Sequence, residues 1–242
     1  MTNTDNKQKW YYYRPKEGVA NTFICQYMRL DYLIQLLETH KYYVKRRKQF
    51  VDSNESYQNI KLAFGPIIVG ENITPNHVSV DRVIPYSKII ECPTSCWSTE
   101  KEENFLMWKC YATEVGACVR TSVHNLIASL QVELDKEGQN RVICGSMDYK
   151  EYRPTTNEES QLFDKDKAYA NEKEFRFYFY LPSFCDGVKE KNGIYIPVDT
   201  EVMIDDVLLS PFLPNEAANK LARLIKCVYN IDVKRSSIKL KV

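Results

Sequence analysis

The sequence predicts one α+β domain built on a bent or split mixed β-sheet with short helices on its flanks. Three observations carry that prediction. Strand-like and helix-like segments alternate irregularly along the chain rather than coming in runs of one kind. The segment 172–180 alternates strictly, with Phe175, Phe177 and Phe179 on one side and Glu172, Glu174, Arg176 and Tyr178 on the other, the pattern of a strand with one buried face. No internal repeat and no clean linker divides the 242 residues, so 10–242 reads as a single domain behind a disordered tail at 1–9.

Taken in order, Trp10 to Tyr13 is an aromatic run suited to packing, and 22–28 reads as a buried strand. Asp31 starts a helix whose apolar face is Tyr32, Leu33, Leu36 and Leu37. A strand at 41–44 leads into the basic run 45–48, which reads first as a solvated surface and second as an anion site. Residues 50–75 show few periodic signals and form a long, partly irregular connection, and 78–90 holds one or two strands.

The stretch 96–112 then organises the middle of the chain. Apolar residues lead up to Cys96 and Trp97, after which the sequence turns polar at Ser98 and Thr99. Either hydroxyl can cap a helix N-terminus, with Glu102 and Glu103 in a first turn that favours negative charge. Phe105, Trp108 and Ala112 follow at helical spacing, which makes Trp108 a core residue. A strand end facing a cleft would also leave Ser98 and Thr99 free to meet a ligand.

Further on, 116–121 is a short strand, and Ser122 caps a helix with Leu126, Ile127 and Leu130 inward. A strand at 141–149 is closed by the polar tract 150–159, and 161–169 reads as a helix with Leu162 and Phe163 inward. After the phenylalanine strand come strands at 193–198 and 202–209. A helix at 216–229 follows, opened by Pro214 and Asn215, with Leu221, Leu224, Ile225 and Val228 inward; 238–242 is a closing edge strand.

Composition excludes several classes. A net charge of +1 is not that of a general nucleic-acid binder. No apolar run approaches the roughly 20 residues that span a bilayer, and the first nine residues lack the apolar core of a signal peptide. The expectation is a cytoplasmic chain with no membrane partner. Its eight scattered cysteines, Cys25, Cys92, Cys96, Cys110, Cys118, Cys144, Cys185 and Cys227, should be reduced thiols with no metal site.

Phosphate-loop, dinucleotide-loop, nucleophile-elbow and zinc-protease motifs are all missing. With only His40, His77 and His124, a histidine triad has few candidates. What remains is Glu172-Lys173-Glu174. Two carboxylates at i and i+2 of a strand point the same way, and like charges held close raise the pKa of one of them. The plainer alternative is that both are solvated or that Glu174 pairs with an arginine such as Arg176.

Three segments together resemble the bacterial domain-of-unknown-function family DUF2971. The first is Tyr27-Met28-Arg29 followed by a helix, a strand and Phe50-Val51-Asp52; the second is Cys96-Trp97-Ser98 with Leu106-Met107-Trp108 and Tyr111-Ala112. The third runs from Lys167 through Tyr169-Ala170-Asn171 to Glu172-Lys173-Glu174-Phe175-Arg176. Val51 to Glu55 departs from the Asn-Asp-Pro-like turn that the family often carries there. The order arginine, serine-threonine, Glu-x-Glu is also similar to that of ADP-ribosyltransferases. That resemblance implies an ADP-ribosyltransferase-like fold and NAD as a consumed substrate. It makes Glu174 catalytic on the ribose and sets Glu172 near the acceptor. Arg29, Ser98, Thr99, Trp97 and Arg176 become the NAD-binding set. Arg14, Arg46 and Arg47 compete for the role of Arg29, and Glu100 stands where a second serine is usual. The company the family keeps implies a toxin or phage-defence effector with a macromolecular acceptor, protein or nucleic acid, and a partner protein or antitoxin. The alternatives are a ligand-sensing or protein-interaction module of the same fold, and a metal-dependent nuclease.

Overall fold

A computed structural model describes residues 9–12, 19–46, 60–61, 67–69, 72–73, 83–84, 92–132, 141–151, 163–181 and 192–240. Residues 1–8 of the expected tail at 1–9, most of the 50–75 connection and of the strand region 78–90, residues 152–159 of the polar tract and residues 241–242 lie outside them, while Lys9 already belongs to a strand.

The framework is one large mixed sheet. Its strands are β1 (Lys9–Tyr12), β2 (Phe23–Arg29), β3 (Lys41–Arg46), β5 (Ile67–Val69), β6 (Asn72–Ile73), β8 (Pro93–Ser98), β9 (Gly116–Ser122), β10 (Arg141–Ser146), β13 (Glu174–Tyr180), β14 (Gly193–Pro197), β15 (Asp206–Leu209) and β16 (Val233–Arg235). Two small ribbons stand apart: β4 (Ile60–Lys61) with β7 (Val83–Ile84), and β11 (Asp148–Lys150) with β12 (Asp164–Asp166). The order through the main sheet is β16-β15-β9-β2-β8-β13-β10-β1-β5-β6. The pairs β1 with β10 and β15 with β16 are parallel, and the other pairs of this sheet are antiparallel.

The sheet splits at β8. One edge of β8 pairs continuously with β13, from Glu174↔Ser98 to Tyr178↔Thr94. The other edge changes partner along its length. At its end it meets β2 through Cys25↔Ser98, and at its start it meets β3 through Lys45↔Thr94 and Arg46↔Pro93. Strand β2 carries β9 and its neighbours away from the split, while β3 carries β14. The predicted bent or split mixed sheet is therefore present.

Strict alternation decides which face is core. Phe175, Phe177 and Phe179 pack with Ile24, Val44, Trp97 and Val119 on one face. Helix α1 (Leu30–Thr39) covers that face with Leu33, Leu36 and Leu37, and α3 (Val123–Ala128) covers it with Val123, Leu126 and Ile127. Ser122 caps α3 as expected, its Oγ accepting from the Asn125 backbone N–H at 3.1 Å. On the opposite face Cys25, Tyr27, Cys118 and Leu208 pack on Trp108 and Ala112. Those two residues come from a short helix, α2 (Phe105–Met107), that runs on as a π-helical turn, Trp108–Ala112. Gly116 opens β9 directly behind that turn. A Cβ there would lie 2.1 Å from the Ala112 carbonyl oxygen, so only glycine fits.

Several element expectations need correcting. Neither Ser98 nor Thr99 caps a helix: Asn104 does, accepting from the Leu106 and Met107 N–H groups, so Glu102 and Glu103 precede the helix. Tyr32 and Phe105 lie exposed rather than in the core. Residues 60–61, 67–69 and 72–73 form short strands inside the supposedly irregular connection. Of the predicted helix at 161–169, residues 161–162 lie outside the described residues, and the described part forms β12 followed by a 3-10 turn at Lys167–Glu172. The predicted strand at 202–209 begins as α4 (Thr200–Met203), capped by Asp199, and becomes strand only at β15. In α5 (Asn215–Tyr229) Ile225 is buried, but Leu224 and Val228 are each 58% exposed. Among the described residues the closing strand is β16, because Val233 to Arg235 is the segment in register with β15, and 238–240 are not strand.

Candidate functional site

The split creates the site. Where β2 and β3 diverge from β8, a cavity of about 930 Å³ opens. That lies near the upper end of ligand-pocket sizes. Its floor is the non-core face of β8 and β13, with Thr94, Cys96, Ser98, Glu174 and Arg176. Its walls include Tyr27, Tyr32, Tyr42, Tyr43, Tyr111 and Tyr169. Such walls suit a planar or sugar-bearing ligand, because tyrosine offers both a stacking face and a hydroxyl.

On that edge Ser95, Cys96 and Trp97 fall between the register with β2 and the register with β3, and a side-chain network meets the strand there. Gln26 Nε2 donates to the Cys96 carbonyl oxygen at 3.0 Å. The Tyr42 hydroxyl donates to Gln26 Oε1 at 2.9 Å and also meets Ser95 Oγ in a close contact, while Trp97 Nε1 donates to Ser95 Oγ at 2.6 Å. Buried polar backbone needs such partners. Gln26 and Tyr42 therefore seal the notch and hold the split open at a fixed geometry.

On the floor stands a compact charged cluster. Arg176 Nε donates to Glu174 Oε1 at 2.6 Å, and the two residues are 1% and 3% exposed. Lys165, on β12, reaches Glu174 Oε2 and Glu172 Oε2, both at 2.7 Å. The Tyr111 hydroxyl donates to Glu172 Oε1 at 2.8 Å. The Tyr149 hydroxyl accepts from the Glu174 backbone N–H at 2.7 Å, and Tyr169 lays its ring 4.8 Å from the Lys165 ammonium. Two cations and two carboxylates balance, which is what makes burial tolerable.

The electrostatics follow from that pairing. Burial pushes the Glu174 carboxyl up, but Arg176 and Lys165 outweigh it and bring the pKa from 4.5 down to about 2. Burial alone would lower the Lys165 pKa, yet Glu174 and Glu172 hold it above the ordinary lysine value. Burial, with the neighbouring Glu172 carboxylate, raises the Tyr111 phenol. The expected mutual raising of a carboxylate pKa within Glu-x-Glu is therefore corrected at Glu174, because a lysine stands between the two acids.

The predicted residues divide. Ser98 and Glu174 face each other across the ladder and both line the cavity. Glu172 also lines it, but from the end of the 3-10 turn rather than from β13. Lys173 breaks the strand there with φ 43°, so Glu172 and Glu174 are not strand i, i+2 neighbours. Trp97 and Arg176 contribute lining atoms, although Trp97 is core-packed and Arg176 is engaged with Glu174. Thr99 is not part of the lining; its hydroxyl and N–H both donate to the Lys173 carbonyl and so fix the end of β8 against β13. Arg29 shares the alternation of Cys25 and Tyr27 but is exposed. It forks onto Asp31 at 2.8 and 3.0 Å and packs against Tyr32 instead of reaching the floor.

Nothing in the sequence marks Lys165, Tyr111, Tyr149, Gln26 or Tyr42 as site residues, whereas Lys45 belongs to the basic run whose second reading is an anion site. Asp164-Lys165-Asp166 carries no apolar–polar alternation, so the local sequence does not place Lys165 on a strand. Nothing local marks Gln26 or Tyr42, whose task exists only at the split.

Among the described residues no cluster of three or more His, Cys, Asp and Glu side chains is arranged to hold a metal ion. None of their helices is long and apolar enough to cross a membrane. The described cysteines are free thiols, with Cys110 and Cys227 exposed; Cys185 lies outside the described residues. Comparison with known proteins finds no matching family model, no matching curated protein and no matching solved structure.

Proposed function

We propose that the cavity binds a dinucleotide of the NAD class and that the chain is an ADP-ribosyltransferase-like enzyme that consumes it. The observation that supports this reading is the Glu174↔Ser98 register at the split. It sets a strand-end hydroxyl beside a fixed carboxylate on the floor of a tyrosine-walled cavity, with the more exposed Glu172 on the same lining. In the reaction the bond between the nicotinamide nitrogen and ribose C1′ breaks, and its electron pair leaves with nicotinamide. Positive charge grows on the ribose, and a preorganised carboxylate opposes it. Water or an acceptor nucleophile then bonds to C1′ and gives up its proton. In this reading Glu172 takes that proton, and its bonds to Tyr111 and Lys165 hold its orientation.

The test is nicotinamide release from NAD, with and without a cell extract as the source of acceptor, alongside calorimetric NAD binding. Release that Glu172→Gln reduces more strongly in transfer than in hydrolysis supports the reading. No release and no binding overturns it.

A second reading, a ligand-sensing module, draws on a specific observation. Both Glu174 oxygens already have cationic partners, and Arg29 stands off the cavity wall. NAD binding without nicotinamide release selects it. The nuclease alternative draws no support from the described residues, which offer no metal-holding cluster. A toxin or phage-defence role, with its antitoxin, rests on the resemblance alone.

A further inference from the structure

The cavity has two chemically different ends. At one end Glu174, Glu172, Lys165 and Arg176 form the charge-balanced cluster, with Ser98 on the same lining. At the other, β3 enters the sheet through Lys45↔Thr94, and Lys45 and Thr94 both line the cavity. Thr94 and Ser98 are four residues apart on one strand, so the two ends lie roughly 13 Å from each other.

The far end is built for a donor set. Along β3, Tyr42 and Val44 turn into the core, which sends Tyr43 and Lys45 to the cavity side. Lys45 pairs across the ladder with Gly193 on β14. A Cβ at Gly193 would lie 2.6 Å from the Tyr43 hydroxyl oxygen, so the glycine lets the Tyr43 phenol fold back towards Lys45. Asn192 lines the same end. Among the described residues no carboxylate pairs with the exposed Lys45 ammonium, whereas Lys165 has two carboxylates and Arg29 has Asp31. An ammonium with no carboxylate partner among the described residues, on a lining shared with Tyr43 and Asn192, selects for an anion.

We infer that Lys45 is the anion anchor of the cavity and takes a phosphate group of the bound nucleotide, the role that the ADP-ribosyltransferase resemblance implies for Arg29. This deepens the nucleotide reading above and rests on it for the identity of the ligand. The ligand then lies along β8, its phosphate at Lys45 and its uncharged or cationic sugar-bearing end at Glu174.

Calorimetry on the full chain with three probes tests this: NAD, nicotinamide riboside, which has no phosphate, and inorganic pyrophosphate. Lys45→Ala weakens NAD and pyrophosphate at least about tenfold, the scale of one charge-assisted hydrogen bond. It leaves the riboside as in the unsubstituted protein, and Lys45→Arg recovers most of the NAD affinity. The loss at Lys45→Ala exceeds that at Arg29→Ala. If NAD binds Lys45→Ala normally, or Arg29→Ala alone carries the loss, the inference falls while the nucleotide reading stands. Equal weakening of the riboside also overturns it, since that reports a deformed cavity. If the unsubstituted protein binds pyrophosphate through Lys45 but does not bind NAD, the anchor stands and the NAD reading falls. Binding of neither probe overturns both.

Discussion

Arg176 and Glu174 are two residues apart on β13, point the same way, and form an ion pair of 2.6 Å in which both side chains are almost fully withdrawn from water. Their position explains the phenylalanine alternation. Three aromatic rings on the core face fix the strand, and the opposite face must then present charge to the cavity floor. A pair held this way contributes little net stability when intact and costs much when halved.

Glu174→Gln therefore strands the Arg176 guanidinium and half of the Lys165 cradle in a buried site. The expected loss is about 3–5 kcal/mol, read as a lower urea midpoint. Glu172→Gln, at the more exposed of the two acids, loses less. A melting temperature unchanged by Glu174→Gln would show that water reaches the cluster freely. It also follows that Glu172, not Glu174, is the cleaner position for a functional substitution.

The same pair gives the protein an acid limit. Glu174 titrates at about 2 when folded, against 4.5 as an isolated side chain. Its folded pKa is depressed, so its stabilisation is complete above 4.5 and drains away as pH falls towards 2, at most about 3 kcal/mol in all. Asp206, lowered against burial by Arg120 and Lys234, acts with the same sign. Urea midpoints should hold from pH 7 to about 5 and fall steeply below 4.5. Asp206→Asn should flatten only part of that fall. A midpoint independent of pH down to 3 would contradict the pairing.

Trp108 is fully buried, meets Tyr27 edge-on with ring centroids 5.0 Å apart, and donates from Nε1 to Glu103 Oε2 at 3.1 Å. Glu103 Oε1 in turn accepts from the Ser237 N–H at 2.6 Å and its hydroxyl at 2.8 Å, which ties the C-terminal segment to this helix. Trp108→Ala should cost roughly 3–5 kcal/mol. Glu103→Ala should cost less but expose the C-terminal segment, seen as faster proteolysis there. A near-neutral thermal melt for Trp108→Ala would contradict the burial.

How much of this was legible depended on the range of the forces. The phenylalanine strand, the Ser122 cap and the burial of Trp108 follow from spacing alone, since each is set within a few residues. Residues 161–169 failed as a helix because β12 is stabilised by pairing with β11, a partner that local propensity cannot see. Leu224 and Val228 were placed inward by helical period, yet α5 rests on the sheet mainly through Ala218 and Ile225, so its apolar stripe is wider than its contact. At the site, Glu174 and Ser98 stand out as motif residues. Lys165 acquires its meaning only from the register of β12 against β11, and the register of β3 selects Lys45 from a basic run that the sequence already marks as a second-choice anion site.

The thiols give a direct reading of where a ligand binds. Cys110 and Cys227 are exposed, Cys96 is partly exposed on the cavity floor, and Cys25, Cys92, Cys118 and Cys144 are buried. Burial also pushes the Cys118 and Cys144 thiols well above their ordinary pKa, which removes the reactive thiolate. Cys96 additionally interacts with Glu174 through its thiol. Native alkylation with iodoacetamide, followed by peptide mass mapping, should therefore label Cys110 and Cys227 first, Cys96 more slowly, and the buried set only on unfolding. A ligand seated along β8 shields Cys96 and leaves Cys110 and Cys227 at their original rates. If a compound that raises the melting temperature leaves Cys96 labelling unchanged, it binds outside the split, and the split is then not the functional site.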